Sequence, residues 1–175
     1  MGITNTFTYK NFEFDFLIDI KSGGDVFSFT DHLAATQGTD EITLNGREFY
    51  SGGNGIMVPS NAVVDGTLTP LAASRGADPQ TYFSRLGNIS ENWISDASFV
   101  KLRQVSISYN LPQSFLDKMS ISRASISYIG RNLAILHKNT KNFDPEVGFN
   151  TAIQGIEFFD MPSTSSHGLK LSVSF

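Results

Sequence analysis

The sequence predicts an all-β fold: about five antiparallel strands of a transmembrane β-barrel, joined by short turns and by two long outer loops. Three observations support this prediction. In several segments of about nine residues, the length of a tilted strand that crosses a bilayer, apolar and polar side chains alternate. The connections between these segments alternate between short and long. The chain contains 15 Phe but only 17% charged residues, against about 25% in soluble domains.

The first two predicted strands, 2-9 and 12-20, form a hairpin around Lys10-Asn11. Alternation places two sets of side chains on opposite faces of the second strand: Phe12, Phe14, Phe16, Ile18 and Ile20 on one face, and Glu13, Asp15 and Asp19 on the other. A carboxylate at mid-bilayer depth is costly. We therefore expect the apolar set to contact lipid and the acidic set to face the lumen.

A long region, 21-96, follows without regular alternation and is rich in Gly, Asn, Thr and Ser, with a turn expected at Asp65-Gly66. A structureless loop of this length argues against a compact soluble domain. Four aromatic residues in or near this loop are candidates for substrate contact: Tyr50, Tyr82, Phe83 and Trp93. Exposed aromatic rings can stack on sugars, but they can equally anchor at the membrane interface or fold the loop on itself.

Alternation returns in three later segments, which we predict as strands 97-111, 121-135 and 166-175. The connection 112-120 is short, whereas 137-165 forms the second long outer loop. Aromatic side chains near the short turns are expected to contribute to the inner interfacial girdle, namely Tyr9, Phe12, Tyr109 and Phe175.

Composition and motifs exclude several classes of function. A net charge of -4 without a block of like charges does not suit nucleic-acid binding, and the lack of cysteine excludes disulfides and thiolate metal sites. No nucleophile elbow, zinc-protease motif or phosphate-binding glycine loop is present, and His32, His137 and His167 are widely spaced. We therefore expect no enzyme, no metal and no cofactor.

Charged residues near the strand ends have structural interpretations. Asp144 and Glu146 flank Pro145, a pattern that favours a turn that fixes the loop over a general acid/base pair. Arg103 and Arg131 are expected to pair with acidic groups such as Glu13 or Asp15 on the lumen wall rather than to bind substrate.

The alternative fold is a soluble β-sandwich, whose strands alternate in the same way because one face packs on a core. On this interpretation the chain is a soluble β-rich carbohydrate-binding or interaction module without catalysis. The final strand favours the barrel, because Leu169, Leu171, Val173 and Phe175 share its apolar face and the sequence finishes on the aromatic residue. Stability in water without detergent would support the sandwich.

Three stretches resemble the C-terminal region of SusC/RagA-type TonB-linked transporters in order and spacing: 96-112 (DASFVKLRQVSISYNLP), 130-133 (GRNL) and 143-146 (FDPE). Residues 5-14 and 23-27 resemble a hairpin that lies a few strands earlier in the family. The ending 168-175 resembles the signal by which bacterial barrels are recognised by their assembly machinery, with Phe175, Val173 and Leu171 as its residues.

The resemblance implies part of a 22-stranded outer-membrane barrel of a Bacteroidetes-like, Gram-negative cell. Such barrels import glycans or peptides with energy relayed by the TonB complex, and a SusD-like surface lipoprotein lids them. A plug domain, a TonB box and a signal peptide are not found in these residues, and about five strands cannot close a barrel. We therefore expect a fragment, a truncated reading frame or one piece of a split barrel. The transported substrate does not follow from this stretch.

Overall fold

The computed structural model describes residues 1–58, 61–64, 67–70, 75–117, 121–147 and 154–175. The turn expected at Asp65-Gly66 lies outside these residues. The chain divides into two compact units. The first, which we call the sheet unit, comprises Met1–Val26, Ser95–Gly155 and Asp160–Phe175. The second, the loop unit, comprises Phe27–Ile94 and Ile156–Phe159.

The strands and helices are numbered in chain order. The strands are β1 (Gly2–Tyr9), β2 (Phe12–Lys21), β3 (Asp25–Ser28), β4 (Ile56–Val58), β5 (Asn61–Val64), β6 (Thr67–Pro70), β7 (Arg75–Ala77), β8 (Ile94–Asp96), β9 (Phe99–Asn110), β10 (Arg123–Lys138), β11 (Ile156–Glu157) and β12 (Ser166–Ser174). The α-helices are α1 (Phe29–Thr36), α2 (Pro79–Leu86) and α3 (Gln113–Leu116), and short 3₁₀ helices span Glu41–Leu44, Arg47–Ser51 and Ser90–Trp93. No helix in the described ranges is long and apolar enough to cross a membrane.

The sheet unit contains one five-stranded sheet with the order β1-β2-β9-β10-β12. Each neighbouring pair is antiparallel. The predicted all-β, antiparallel arrangement of these strands is thereby confirmed. The sheet does not close on itself, because β1 and β12 are its two edges and they do not pair with each other.

One face of this sheet is apolar across all five strands. The register aligns two rows of large side chains: Phe7, Phe14, Ile107, Tyr128 and Leu169 in the first, and Tyr9, Phe12, Tyr109, Ile126 and Leu171 in the second. These rows are open to solvent; Phe7 is 55% and Leu169 82% exposed. Monomeric soluble proteins rarely expose a contiguous apolar patch that crosses a whole sheet.

Most side chains on the opposite face are small or polar. Its two central rows are Thr8, Glu13, Ser108, Ser127 and Lys170, and Thr6, Asp15, Ser106, Ile129 and Gly168. The hydroxyl of Thr6 donates to the Asp15 carboxylate at 2.7 Å, and Ser108 donates to Ser127 at 2.8 Å. The predicted separation of the phenylalanines of β2 from Glu13, Asp15 and Asp19 is therefore what the register shows.

The described residues of 21-96 form helices and short strands, although the sequence of this region lacks regular alternation. Helix α1 begins after Ser28, whose hydroxyl accepts the Asp31 amide at 3.0 Å, and α2 begins after Asp78 with Pro79 in its first turn. Both helices have only eight residues. Such short helices leave too few turns for a periodic pattern, but Asp-Pro before a helix is a recognisable start signal.

A buried carboxylate anchors the start of α1 in the loop unit. The β11 residue Glu157 lies opposite Ser28 of β3 in a parallel pair and is fully buried. Its carboxylate accepts the Ser28 hydroxyl at 2.8 Å, the Thr30 hydroxyl at 2.7 Å and the Thr30 amide at 3.1 Å. Burial raises the pKa of Glu157, but the hydrogen bonds from Thr30 and Ser28 outweigh it and lower the pKa below its ordinary value.

We predict that Glu157→Ala loosens the loop unit by about 1–3 kcal/mol, because the buried donors of Ser28 and Thr30 lose their acceptor. Limited proteolysis of the full chain in detergent would measure this change as faster cleavage within Phe27–Ile94. The matched control is Glu91→Ala, which removes an exposed carboxylate from the same unit. Equal cleavage rates in the two variants would contradict the anchoring role.

Candidate functional site

Arg103 lies at a bulge that interrupts the ladders on both sides of β9. Between β2 and β9 the pairing steps from Leu17↔Gln104 to Ile18↔Leu102, which leaves Arg103 unpaired. Between β10 and β9 it steps from Arg131↔Gln104 to Ala134↔Leu102. The extra β10 residues include Asn132, which has a φ of 50°. Because a bulge changes the direction of a side chain, Arg103 and Gln104 both project from the polar face.

The guanidinium of Arg103 connects two carboxylates and an amide. Its Nε and Nη2 donate to Oδ2 of Asp19 at 2.9 and 2.8 Å. Its Nη1 donates to Oε2 of Glu146 at 2.8 Å, and its Nη2 contacts Oε1 of the same residue. The side-chain oxygen of Asn132 accepts a further hydrogen bond from Nη1 at 3.2 Å.

Lys101 extends the same network into a buried ion pair. Its ammonium contacts Asp144 at 2.5 Å and Glu146 at 2.7 Å, and the side chains of Lys101 and Asp144 are only 3% and 2% exposed. The Asp144 carboxylate also accepts the Ser163 hydroxyl at 2.7 Å and the Glu146 amide at 3.1 Å. We name the five ionised residues, Asp19, Lys101, Arg103, Asp144 and Glu146, the charge cluster.

Hydrogen bonding lowers the pKa of two acidic members of the charge cluster, Asp144 and Glu146. Burial raises the pKa of Asp144, but the hydrogen bonds from Lys101, Ser163 and the Glu146 amide outweigh it and lower the pKa to about 2. Burial also raises the pKa of Glu146, but the hydrogen bonds from Arg103 and Lys101 have the larger effect and lower this pKa below its ordinary value. Every carboxylate of the cluster faces a cation, so the arrangement can hold the segment that contains Asp144 and Glu146 against the sheet.

The partner of Arg103 differs from the sequence prediction. It pairs with Asp19 and Glu146, not with Glu13 or Asp15, because the latter two lie nearer the hairpin, level with Ser108 and Ser106. Arg131 forms no ion pair within the described part of the chain. The sequence does contain a signal for the bulge. Lys101 and Arg103 fit one phase of alternation, and Gln104, Ser106 and Ser108 fit the other.

The four candidate substrate contacts lie in the loop unit in different surroundings. Phe83 and Trp93 are each 5% exposed, and the Trp93 indole donates to the Gly87 carbonyl at 3.3 Å. This burial favours the alternative stated above, that both rings fold the loop on itself. Tyr82 is half-buried, whereas Tyr50 is 62% exposed and its hydroxyl donates to Asp78 at 2.9 Å. Substrate contact stays a prediction for these residues.

A cavity of about 330 Å³ lies within the loop unit. Two of the four candidates, Tyr50 and Phe83, line it together with Thr36, Gly38, Arg47 and Gln80. Arg47 and Gln80 were not singled out from the sequence, because no motif surrounds them. Among the residues that the structure describes, no group of three or more His, Cys, Asp or Glu side chains is placed to hold a metal ion.

The proposed assembly residues lie on the apolar face of the edge strand. In β12, Leu171 is opposite Ile126 and Val173 is opposite Ala124. Leu171, Val173 and Phe175 are all exposed, and Phe175 is 92% accessible. Their role in assembly stays a prediction.

We predict that Lys101→Met releases the segment that holds Asp144 and Glu146, at a cost of about 3–5 kcal/mol, because it leaves a buried carboxylate without its cation. Hydrogen exchange of the amides in 138–147 would report the opening. Lys170→Met is the matched control, since Lys170 is an exposed lysine of the same polar face. A second change, Asp144→Asn in the Lys101→Met background, should recover at least about half of the loss. Unchanged exchange in Lys101→Met would show that the ion pair is dispensable.

Proteins similar in sequence and proteins similar in structure point to the same class of protein. No protein-family model matches the chain. Two curated proteins of Formosa agariphila, both named as TonB-dependent receptors, are 26% identical over 183 and 181 residues. These alignments cover 100% and 99% of the chain but only 16% of each relative, so the chain spans about one sixth of the relatives' length.

Solved structures of the RagAB peptide importer share the fold. The open-open state aligns with a TM-score of 0.62 and 19% identity over 99% of the chain and 17% of the matched chain. The closed-closed state aligns with a TM-score of 0.61 and 19% identity over 98% of the chain. The resemblance to SusC/RagA-type TonB-linked transporters is thus confirmed: over its whole length the chain is similar to a part of TonB-dependent receptors, and it has the fold of the matching part of RagAB.

Proposed function

We propose that the chain forms part of the wall and outer loops of an outer-membrane, TonB-dependent nutrient importer of the SusC kind, without catalysis of its own. The observation that carries this proposal is the two-faced sheet. One face is apolar across five strands and uncovered, whereas the other is lined by hydroxyls and charges.

The apolar face suits contact with lipid. Leaving a large apolar side chain in water rather than burying it costs about 1.5–3 kcal/mol, so rows of exposed Phe, Ile and Leu disfavour a water-soluble sheet. In lipid this cost disappears, and the ladders satisfy the backbone within the sheet. The edges β1 and β12 then require further strands as neighbours. The alternative of a soluble carbohydrate-binding or interaction module is not favoured by such a surface.

The polar face suits a water-filled lumen. Glu13, Asp15 and the charge cluster lie on it, where ionised groups remain hydrated or paired. The turn at Lys10-Asn11 and the connection 112-120 leave the sheet at one end, and 21-96 and 137-165 leave it at the other. We assign the end with short turns to the periplasm and the long loops to the outside. The charge cluster then fixes one outer loop to the lumen wall.

The partners follow from this placement. A SusD-like surface lipoprotein would contact the outer loops, chiefly 21-96, and the TonB complex would act through regions other than this stretch. The RagAB structures are those of a peptide importer, and peptides or glycans are the substrate classes that we propose here. Within the loops, Tyr50 and Tyr82 have the accessible rings among the four candidates for substrate contact.

The orientation of the sheet can be tested with single cysteines, because the chain has none of its own. We predict that a fluorophore on Phe14→Cys is strongly quenched by brominated lipid in reconstituted vesicles, whereas the same fluorophore on Glu13→Cys is not. The two neighbours project from opposite faces of β2.

Ile107→Cys and Ser108→Cys repeat the comparison on β9 as a control, since they lie on the apolar and the polar face respectively. Equal quenching within each pair would contradict the assignment of faces. A monodisperse chain that stays in water and does not enter vesicles would support the soluble module instead.

We further propose that Phe175, Val173 and Leu171 serve recognition by the barrel assembly machinery. In a complete receptor in which residues 1–175 replace the matching stretch, Phe175→Ser should lower the amount of barrel inserted in the outer membrane. The import rate per inserted molecule should stay unchanged. The control is Phe7→Ser, which removes an aromatic ring from the same apolar face at the other edge of the sheet. If both variants insert equally well, a specific assembly role for Phe175 is wrong.

A further inference from the structure

The cavity of the loop unit has the chemistry of a site for a small anion. Arg47 is the one charged residue among the described residues that line it. Aromatic and amide side chains complete the lining, including Tyr50, Phe83, Gln37 and Gln80. We propose that this cavity binds a carboxylate group of the incoming substrate, with Arg47 as its ionic partner. The identity of the ligand as an imported substrate rests on the proposed function, whereas binding itself does not.

The guanidinium of Arg47 is held in place by the loop around it. Its Nε donates to the Thr43 carbonyl at 2.9 Å, and its Nη2 donates to the Gly38 carbonyl at 2.6 Å and to the Thr43 hydroxyl at 3.0 Å. These bonds use three of the five N–H donors of an arginine. Within the described residues, the two donors on Nη1 have no acceptor. A cation fixed before binding loses little side-chain freedom when an anion arrives.

The carboxylate of Asp78, next to Pro79 of the cavity lining, forms no ion pair with Arg47. One oxygen of Asp78 accepts the Tyr50 hydroxyl, and the other accepts the Thr81 amide at 2.9 Å and the Thr81 hydroxyl at 2.7 Å. The hydrogen bond to Asp78 raises the pKa of Tyr50, so the phenol stays neutral beside the cavity. Asp78 thereby orients the exposed ring of Tyr50 and is itself not among the lining residues.

The size and the lining of the cavity restrict the ligand. A volume of about 330 Å³ is at the lower end of small-molecule sites and suits one amino-acid residue or one sugar ring. The rings of Tyr50 and Phe83 offer apolar contact, and the amides of Gln37 and Gln80 offer hydrogen bonds. A carboxylate matches the positive charge of Arg47, and hydrogen bonds to charged groups are the stronger ones. The carboxylate could belong to the end of a peptide or to a uronic acid.

Binding should be measured by ligand-observed NMR titration of the full chain in detergent. The probes form two matched pairs: a tripeptide as free acid and as carboxyl amide, and a galacturonate trisaccharide as free acid and as methyl ester. We expect at least one free acid to bind about tenfold more tightly than its neutral counterpart. The pair that shows the preference identifies the source of the carboxylate. Equal affinities within both pairs, or no binding of either acid, would overturn the proposal.

Two variants at Gln80 change the charge of the cavity without touching the contacts of Arg47. Gln80 is exposed near the start of α2, where substitution is tolerated. Gln80→Glu should weaken binding of the preferred acid by about fivefold, and Gln80→Lys should strengthen it to a similar extent. The neutral counterpart should bind all three proteins equally. Affinities that do not follow the charge at position 80 would overturn the proposal.

Arg47→Gln should abolish the preference for the acid, and circular dichroism would check that this variant keeps its fold, because Arg47 also supports the loop. The Gln80 variants decide the question if Arg47→Gln does not fold. Failure of the proposed function would instead appear as equal quenching at Phe14→Cys and Glu13→Cys, so the two failures are distinguishable.

Discussion

The two faces of the sheet depend on the register of its four antiparallel ladders. Because side chains change face at every residue, a shift of one residue would move Phe12, Phe14 and Phe16 to the face that now carries Glu13 and Asp15. The apolar rows continue over five strands only because each pair of neighbours keeps the same phase. The shared alternation places apolar side chains on one face of the sheet and polar side chains on the other, so the sheet has two different surfaces without a large core.

The alternation of side chains along β9 shifts by one residue at the bulge at Arg103. This shift allows the charge cluster to form. A regular strand would send the side chains of Arg103 and Gln104 to opposite faces. The bulge instead brings Arg103 to the face of Asp19, where Glu146 joins them from a loop. An isolated buried charge is energetically unfavourable. Lys101 and Asp144 can both be buried because they form an ion pair with each other. A local irregularity of the backbone thus connects β9 to the segment that contains Asp144 and Glu146.

Hydrogen bonds to charged side chains stabilise the loop unit together with its buried apolar side chains. Glu157 accepts hydrogen bonds from Ser28 and Thr30 at the first turn of α1. Arg47 donates hydrogen bonds to the carbonyls of Thr43 and Gly38. Around these anchors Phe83 and Trp93 are buried. This construction places a fixed cation and an exposed tyrosine at one cavity. It also explains how a region poor in periodic pattern still has a defined structure.

The antiparallel sheet, its two faces and the family resemblance could be predicted from the sequence, because alternation and strand length depend only on residues that are close in the chain. Motifs such as 96-112 carry the resemblance in the same local way. The partners of Arg103, the burial of Phe83, Trp93 and Glu157, and the placement of Arg47 and Gln80 around one cavity could not be predicted and follow from the folded structure. Asp19 and Arg103 are 84 residues apart, and Glu157 and Ser28 are 129 apart. Such pairs have no periodic signature, since strand pairing and loop packing alone bring them together.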